Sequence, residues 1–98
     1  MFRHVVMFRW DPATSAHDRD AAVEALRRFG QDIADLGTLS VGSDAGVSPG
    51  NFDVVVMVDL PDRDTYLRYA RDPRHLSVVD RYIKPHAQAR AAVQTELG

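Results

Sequence analysis

The sequence contains no cysteine among its 98 residues. A disulfide-stapled secreted fold, a thiolate metal site and a cysteine nucleophile are therefore excluded. Charge of one sign is not in excess either, because the formal net charge is -2 and the arginines are interleaved with acidic residues, so nucleic acid is not an expected partner. The apolar run at the amino terminus is interrupted by charges and predicts neither a signal peptide nor a membrane span. We therefore expect a cytoplasmic protein with no membrane partner.

The length of the chain predicts one domain over residues 1–98. A chain of this size can bury roughly 65% of its unfolded surface and needs no covalent staple. Apolar periodicity, capping residues and turn formers then define its elements. The predicted order is a strand at 2–10, a helix from Thr14 or Ser15 to about Leu36, strands at 38–44 and 52–60, a short helix after Asp62, a helix from Pro73 to before Pro85, and a strand at 87–96.

This order of elements, βαββαβ, is typical of a ferredoxin-like α+β sheet with its helices on one face. The third strand is apolar on both faces, with Val55 and Met57 on one and Val54, Val56 and Val58 on the other. One layer of helices covers only one of these faces, and an exposed valine surface is costly. The simplest cover is a second copy of the chain packed sheet to sheet. The sequence therefore predicts a homodimer in which two subunits form an α+β barrel.

The stretch from Tyr69 to His75 concentrates groups that could do chemistry. Asp72 followed by Pro73 predicts a helix start, since aspartate caps free backbone N–H groups and proline suits the first helical position. His75 then occupies the third helical position, where the helix dipole disfavours imidazolium. A neutral imidazole can act as a general base. His4, on the first strand, shares a face with large apolar residues and needs a buried partner.

We therefore predict an apolar pocket between helices and sheet. Its candidate catalytic residues are His4, Tyr69 and His75, and its candidate substrate-binding residues are Phe8, Phe29, Tyr66 and Tyr82. Each catalytic candidate has a structural alternative, in which the imidazoles satisfy core hydrogen bonds and Tyr69 is a core residue with a wet tip. Asp62 and Asp72 are explained as helix caps, so neither a metal nor another cofactor is predicted.

Several of these features together resemble the stress-responsive dimeric α/β barrel domain family. They are His4 in an apolar first strand, a helix centred on Ala-Leu-Arg-Arg-Phe, Gly42 in the second strand, the Phe52-Asp53-Val54 start of the third strand, and the stretch Tyr69-Ala70-Arg71-Asp72-Pro73-Arg74-His75. The resemblance extends over about residues 2–96. It implies two ferredoxin-like subunits that pair through their sheets.

Some plant members of that family are polyketide cyclases that close a ring by intramolecular aldol condensation. In them a histidine on the first strand and the last histidine of a Tyr-x-x-His-Pro-x-His signature act in the pocket, and the matching residues are His4, Tyr69 and His75. Two positions depart from the cyclase pattern. Asp72 replaces the middle histidine of the signature, and Leu26 stands where the cyclases carry a helix tyrosine.

The resulting hypothesis is a homodimer that binds a small apolar or aromatic molecule, with cyclase- or isomerase-like acid-base activity implied by the resemblance. Whether the protein is an enzyme stays open. One alternative is a non-enzymatic stress-response or structural dimer, and another is a cofactor-independent monooxygenase of related fold. A cavity beside His75 that both imidazoles face favours chemistry, whereas a filled interior favours the structural dimer.

Overall fold

A computed structural model describes residues 1–98 and shows a four-stranded antiparallel sheet with helices on one face. The elements in chain order are β1 (Phe2–Trp10), α1 (Ala16–Asp32), β2 (Thr38–Ser43), β3 (Val54–Leu60), α2 (Arg63–Arg71), α3 (Pro73–Val78), a π-helical segment (Val79–Ile83) and β4 (Ala87–Glu96). The sheet order is β2-β3-β1-β4. This is the predicted ferredoxin-like fold.

The strand register decides which residues face the helices. β1 pairs with β3 so that Val6 lies opposite Val56, and with β4 so that His4 lies opposite Gln94. Because side chains alternate along a strand, the even-numbered residues of β1 and β3 share the helix-facing side. Those side chains are buried while their odd-numbered neighbours are mostly not. Val54, Val56 and Val58 therefore belong to the core.

The core forms where α1 lies on this face. Ala22, Leu26, Phe29 and Ile33 recur at three- and four-residue steps, which puts them on one side of the helix, and all four are buried. Trp10, the last residue of β1, is also buried and only 4% exposed. β1 is a central strand of the sheet, so its last residue still belongs to the core.

The helix N-caps are the residues that the sequence predicted, whereas some helices and strands begin or end at other residues than predicted. The side chains of Ser15, Asp62 and Asp72 accept hydrogen bonds from the backbone N–H groups of Asp18, Thr65 and Arg74, so each caps the helix that follows.

The first helix ends at Asp32 and not near Leu36, because turns lead the chain back to the sheet. A Cβ atom on Gly37 would collide with the backbone of Asp59. Gly37 is thus needed for the close approach of the chain to β3 at this point.

The helix that begins at Pro73 changes character before it ends. Residues 73–78 are α-helical, but Val79–Ile83 form a π-helical turn, shown by the hydrogen bond from the Lys84 N–H to the Val79 carbonyl at 2.9 Å. Single π turns widen a helix and occur often at functional sites. Val79 and Ile83 of this turn both line the cavity described below.

The other face of the sheet carries an apolar surface that this chain does not cover. Met7, Val55 and Val93 are 38%, 40% and 67% exposed, and Val5 and Met57 lie between them in the register. We call these five residues the outer apolar face. Beside it, the β2–β3 loop borders a depression of about 530 Å³ that includes Met7 and Val55. No helix of the protein is both long and apolar enough to cross a membrane.

Candidate functional site

A cavity of about 410 Å³ lies between the sheet and the helices. Such a volume is within the range of small-molecule sites. Its wall is mainly apolar, with four basic side chains and one phenol, and no acidic residue lines it. The lining residues are His4, Val6, Phe8, Leu26, Phe29, Val56, Tyr69, His75, Val78, Val79, Ile83, Lys84, Ala87 and Arg90. β1 and β3 supply the floor, α1 one wall, and the helices after Asp62 the other.

His75 is fixed in one orientation and one tautomer. Its Nδ1 atom lies 3.2 Å from the carbonyl oxygen of Ala70, at the end of the preceding helix. A carbonyl oxygen only accepts, so Nδ1 donates its proton and the neutral ring carries a lone pair on Nε2. The Tyr69 ring, with its centroid 4.7 Å away, supports the imidazole on one side. The expected alternative, a bond to a backbone carbonyl, thus occupies one nitrogen and leaves the other available.

His4 is held by a residue that sequence reasoning did not identify. Gln94, directly opposite on β4, places its amide nitrogen 3.2 Å from His4 Nδ1, and the same nitrogen donates to the Tyr66 hydroxyl at 2.9 Å. With the amide as donor, Nδ1 accepts and the neutral His4 ring carries its proton on Nε2. Tyr66 also packs on the His4 ring, with centroids 5.0 Å apart. The two histidines thus present opposite hydrogen-bonding properties at their Nε2 atoms.

Three polar side-chain atoms in the cavity wall have no protein hydrogen-bond partner. They are Nε2 of His4, Nε2 of His75 and the hydroxyl of Tyr69. His4 and Tyr69 are only 5% and 4% exposed, yet no fully buried side-chain nitrogen or oxygen in the protein lacks a partner. Each of these atoms therefore remains reachable from the cavity. Together they offer a ligand one acceptor and two donors.

The electrostatics of the cavity keep all three rings uncharged near neutral pH. Burial lowers the pKa of His4 and of His75, and the positive charge of Arg90 lowers both further. For His75 the hydrogen bond to Ala70 and the charge of Asp72 act in the opposite direction but do not reverse the shift. Burial raises the pKa of the Tyr69 phenol well above its usual range. Desolvation by burial is thus the first cause of the lowered pKa of His75.

Arg74 fixes the backbone that carries His75. Its guanidinium donates to the carboxylate of Asp72 at 2.8 and 2.9 Å, to that of Asp35 at 3.0 and 3.3 Å, and to the carbonyl of Asp32. The end of α1 is thereby tied to the junction of α2 and α3. The same contacts lower the pKa of Asp72 to about 2. Arg74 is a positioning residue for the imidazole beside it.

Replacing Arg74 by glutamine should lower the melting temperature most at neutral pH. The Asp72 pKa is lowered from 3.8 to about 2 in the folded state, so its stabilising contacts are complete above pH 4 and lost as the pH falls towards 2. The difference between Arg74→Gln and the wild type should therefore shrink between pH 5 and pH 2, as followed by circular dichroism. Arg71→Gln is the control, since Arg71 forms no ion pair. A difference that does not change with pH would contradict this role.

The structure brings most of the predicted site residues together. His4, Tyr69, His75, Phe8 and Phe29 line one cavity. Tyr66 lies behind His4 and contacts its ring without lining the cavity.

Tyr82 is placed elsewhere, in a surface groove with Arg28, where the Arg81 guanidinium lies 5.3 Å from the Tyr82 ring centroid. Leu26, at the position of the cyclase tyrosine, does line the cavity, so the departure there removes a hydroxyl from the site.

Fold and site together define a ferredoxin-like α+β protein with an apolar, histidine-lined cavity between helices and sheet. The sequence model described as Stress responsive A/B Barrel Domain matches residues 2–97. The chain therefore belongs to this family. No curated protein sequence matches it.

Solved structures share the fold of this chain. A dimeric ferredoxin-like protein of unknown function from Thermobifida fusca YX is 30% identical, with a TM-score of 0.89 over 98% of this chain and 90% of that one. A hydroxynitrile lyase from Passiflora edulis is 17% identical, with a TM-score of 0.83 over 99% and 93% of the two chains. An antibiotic biosynthesis monooxygenase is also 17% identical, with a TM-score of 0.75 over 100% and 99%. At 17% identity the last two show a shared fold alone.

Proposed function

We propose that the protein binds a small apolar or aromatic molecule carrying a carbonyl group, and catalyses proton transfer next to that carbonyl. The observation that carries this proposal is the set of unpaired polar atoms on His4, Tyr69 and His75 around one apolar cavity. One nitrogen of each imidazole has a protein partner, and the other is free to contact a ligand. Because these atoms are reachable from the cavity, a ligand there can form hydrogen bonds with all three of them.

In the proposed reaction each of these groups has one role. His75 Nε2 holds a lone pair and accepts a proton from the carbon next to the carbonyl. Negative charge then develops on the carbonyl oxygen, and the N–H of His4 or the hydroxyl of Tyr69 donates a hydrogen bond to it. Return of the proton from His75 to a different atom of the enolate completes an isomerisation. Attack of the enolate carbon on a second carbonyl of the same molecule, with proton return to the new alkoxide, completes an aldol cyclisation.

We further propose that the protein is a homodimer. The outer apolar face has no cover within the chain, and the structural relatives from Thermobifida fusca, Bacteroides fragilis and Jannaschia are described as dimeric. Packing two such sheets together buries valine and methionine side chains at roughly 25 cal/mol per Å². The cavity lies on the opposite side of the sheet, so each subunit would retain its own site.

Binding can be tested with a matched pair of naphthalene probes. We expect 1-(2-naphthyl)propan-2-one to bind about tenfold more tightly than 2-propylnaphthalene, because only the ketone accepts a hydrogen bond in the cavity. Nitrogen NMR of histidine-labelled protein should show the Nε2 signals of His4 and His75 shifting with the ketone, while those of His17 and His86 stay in place. Equal affinity for the two probes, with no histidine shift, would contradict the proposal.

A further inference from the structure

Two basic side chains that line the cavity, Lys84 and Arg90, are also exposed to solvent and give it a positively charged opening. No aspartate or glutamate lines the cavity beside them, although the chain has 14 acidic residues against 12 lysines and arginines. Lys84 is paired outside the cavity with Asp80 at 3.0 Å. Arg90 forms no ion pair with any acidic residue. An apolar chamber therefore ends at a guanidinium whose charge is not compensated.

Arg90 is placed to act on whatever enters the cavity. It lies on β4 directly opposite Phe8, on the side of the sheet that faces the helices. Its charge reaches both imidazoles, since it lowers the pKa of His4 and of His75. The outer apolar face is on the other side of the sheet, so the proposed dimer would leave Arg90 free.

Only two other arginines also lack an ion pair, a side-chain hydrogen bond and an aromatic contact, and neither of them lines this cavity. Arg28 borders the surface groove that contains Tyr82, and Arg71 ends α2. Each of the other eight arginines has a carboxylate, carbonyl or hydroxyl partner or lies over an aromatic ring. Arg90 is thus distinguished by combining a free guanidinium with an apolar chamber next to it.

An unpaired guanidinium beside an apolar wall recognises a particular kind of molecule. Its planar fork of N–H donors matches a carboxylate in two parallel hydrogen bonds, and such charge-assisted bonds are stronger than neutral ones. The rings and aliphatic side chains behind it would bury an apolar body. Building on the binding function proposed above, we propose that the ligand is an amphipathic carboxylate, an aromatic or aliphatic body with one carboxylate end, and that Arg90 selects it by binding that end.

The test compares two probes that differ only in charge. 2-Naphthoate and 2-naphthamide have nearly the same shape, and their binding can be followed by calorimetry at low salt. We expect the wild type to bind naphthoate about 10- to 100-fold more tightly than naphthamide, since a hydrogen bond to a charged group is stronger than a neutral one. In Arg90→Gln this preference should fall to about twofold or less, while the affinity for naphthamide stays the same.

Two control variants locate the effect. Arg71→Gln removes an equal charge away from the cavity and should keep the full preference for naphthoate. Lys84→Gln should keep most of it, because Lys84 already has a carboxylate partner. A preference that survives Arg90→Gln, or that Arg71→Gln removes to the same degree, would overturn the role of Arg90. Equal binding of both probes by the wild type would overturn the carboxylate ligand and leave the proposed binding function intact. If naphthoate, naphthamide and the naphthyl ketone all fail to bind, the proposed binding function itself is overturned.

Discussion

Substituting aspartate for Val55 should convert the proposed homodimer into a monomer. Val55 is 40% exposed in the single chain and lies opposite Met7 at the middle of the outer apolar face. In a two-fold interface each substitution occurs twice. Burying an unpaired carboxylate costs at least about 2 kcal/mol, or about 4 kcal/mol per dimer, so the dissociation constant should rise by roughly a thousandfold or more. Sedimentation at micromolar concentration measures this directly.

The same substitution on the helical side of the molecule provides the control. Leu67 of α2 is 49% exposed, and no sheet-to-sheet contact could cover it. Leu67→Asp should therefore sediment as a dimer. Since Val55 contributes little to the core of its own chain, the monomeric Val55→Asp protein should keep its far-ultraviolet circular dichroism spectrum. An unchanged dimer in Val55→Asp would show that the outer apolar face is not the interface.

The sequence predicted the fold well because its local patterns agree with one another. Helix caps at Ser15, Asp62 and Asp72 lie where the sequence placed them. The last strand, Ala87–Glu96, has the predicted bounds despite its alanines, because the side chains along it alternate with the period of a strand. The predicted two-sided strands were also correct, with Val54, Val56 and Val58 inside and Val55 and Met57 outside. These features depend on residues that are near each other in the chain.

The candidate site was predicted less completely because part of it depends on strand register. Gln94 meets His4, and Arg90 meets Phe8, only after β4 has paired with β1 in one register out of several. No local pattern in the sequence fixes that register. The alternation of β4 put Arg90 and Gln94 on one face, which was the available signal. Tyr82 was assigned to the pocket by aromatic composition alone, and the π-helical turn places it in another groove.

Replacing His75 by glutamine should remove the proposed proton transfer without unfolding the protein. Deuterium exchange at the methylene group of 1-(2-naphthyl)propan-2-one, followed by proton NMR in heavy water, reports removal of a proton next to a carbonyl. General-base catalysis contributes about 10²- to 10⁴-fold, and we expect a loss of that size. A glutamine amide can still donate to the Ala70 carbonyl, so the melting temperature should change little. His17→Gln, on the exposed start of α1, should exchange at the wild-type rate.

The pH dependence separates a base from a residue that merely shapes the cavity. Burial and Arg90 lower the pKa of His75 from 6.5, so the ring stays neutral at pH 7 and gains a proton only at lower pH. The wild-type rate should therefore be constant from pH 8 down to about 6.5, apart from the background reaction, and should fall as the pH drops through the lowered pKa. His75→Gln should lose this acid limb together with the rate. If His75→Gln lowers the rate but keeps the fall in rate at low pH, another group is the base. If His75→Gln instead unfolds the protein, His75 has a structural role.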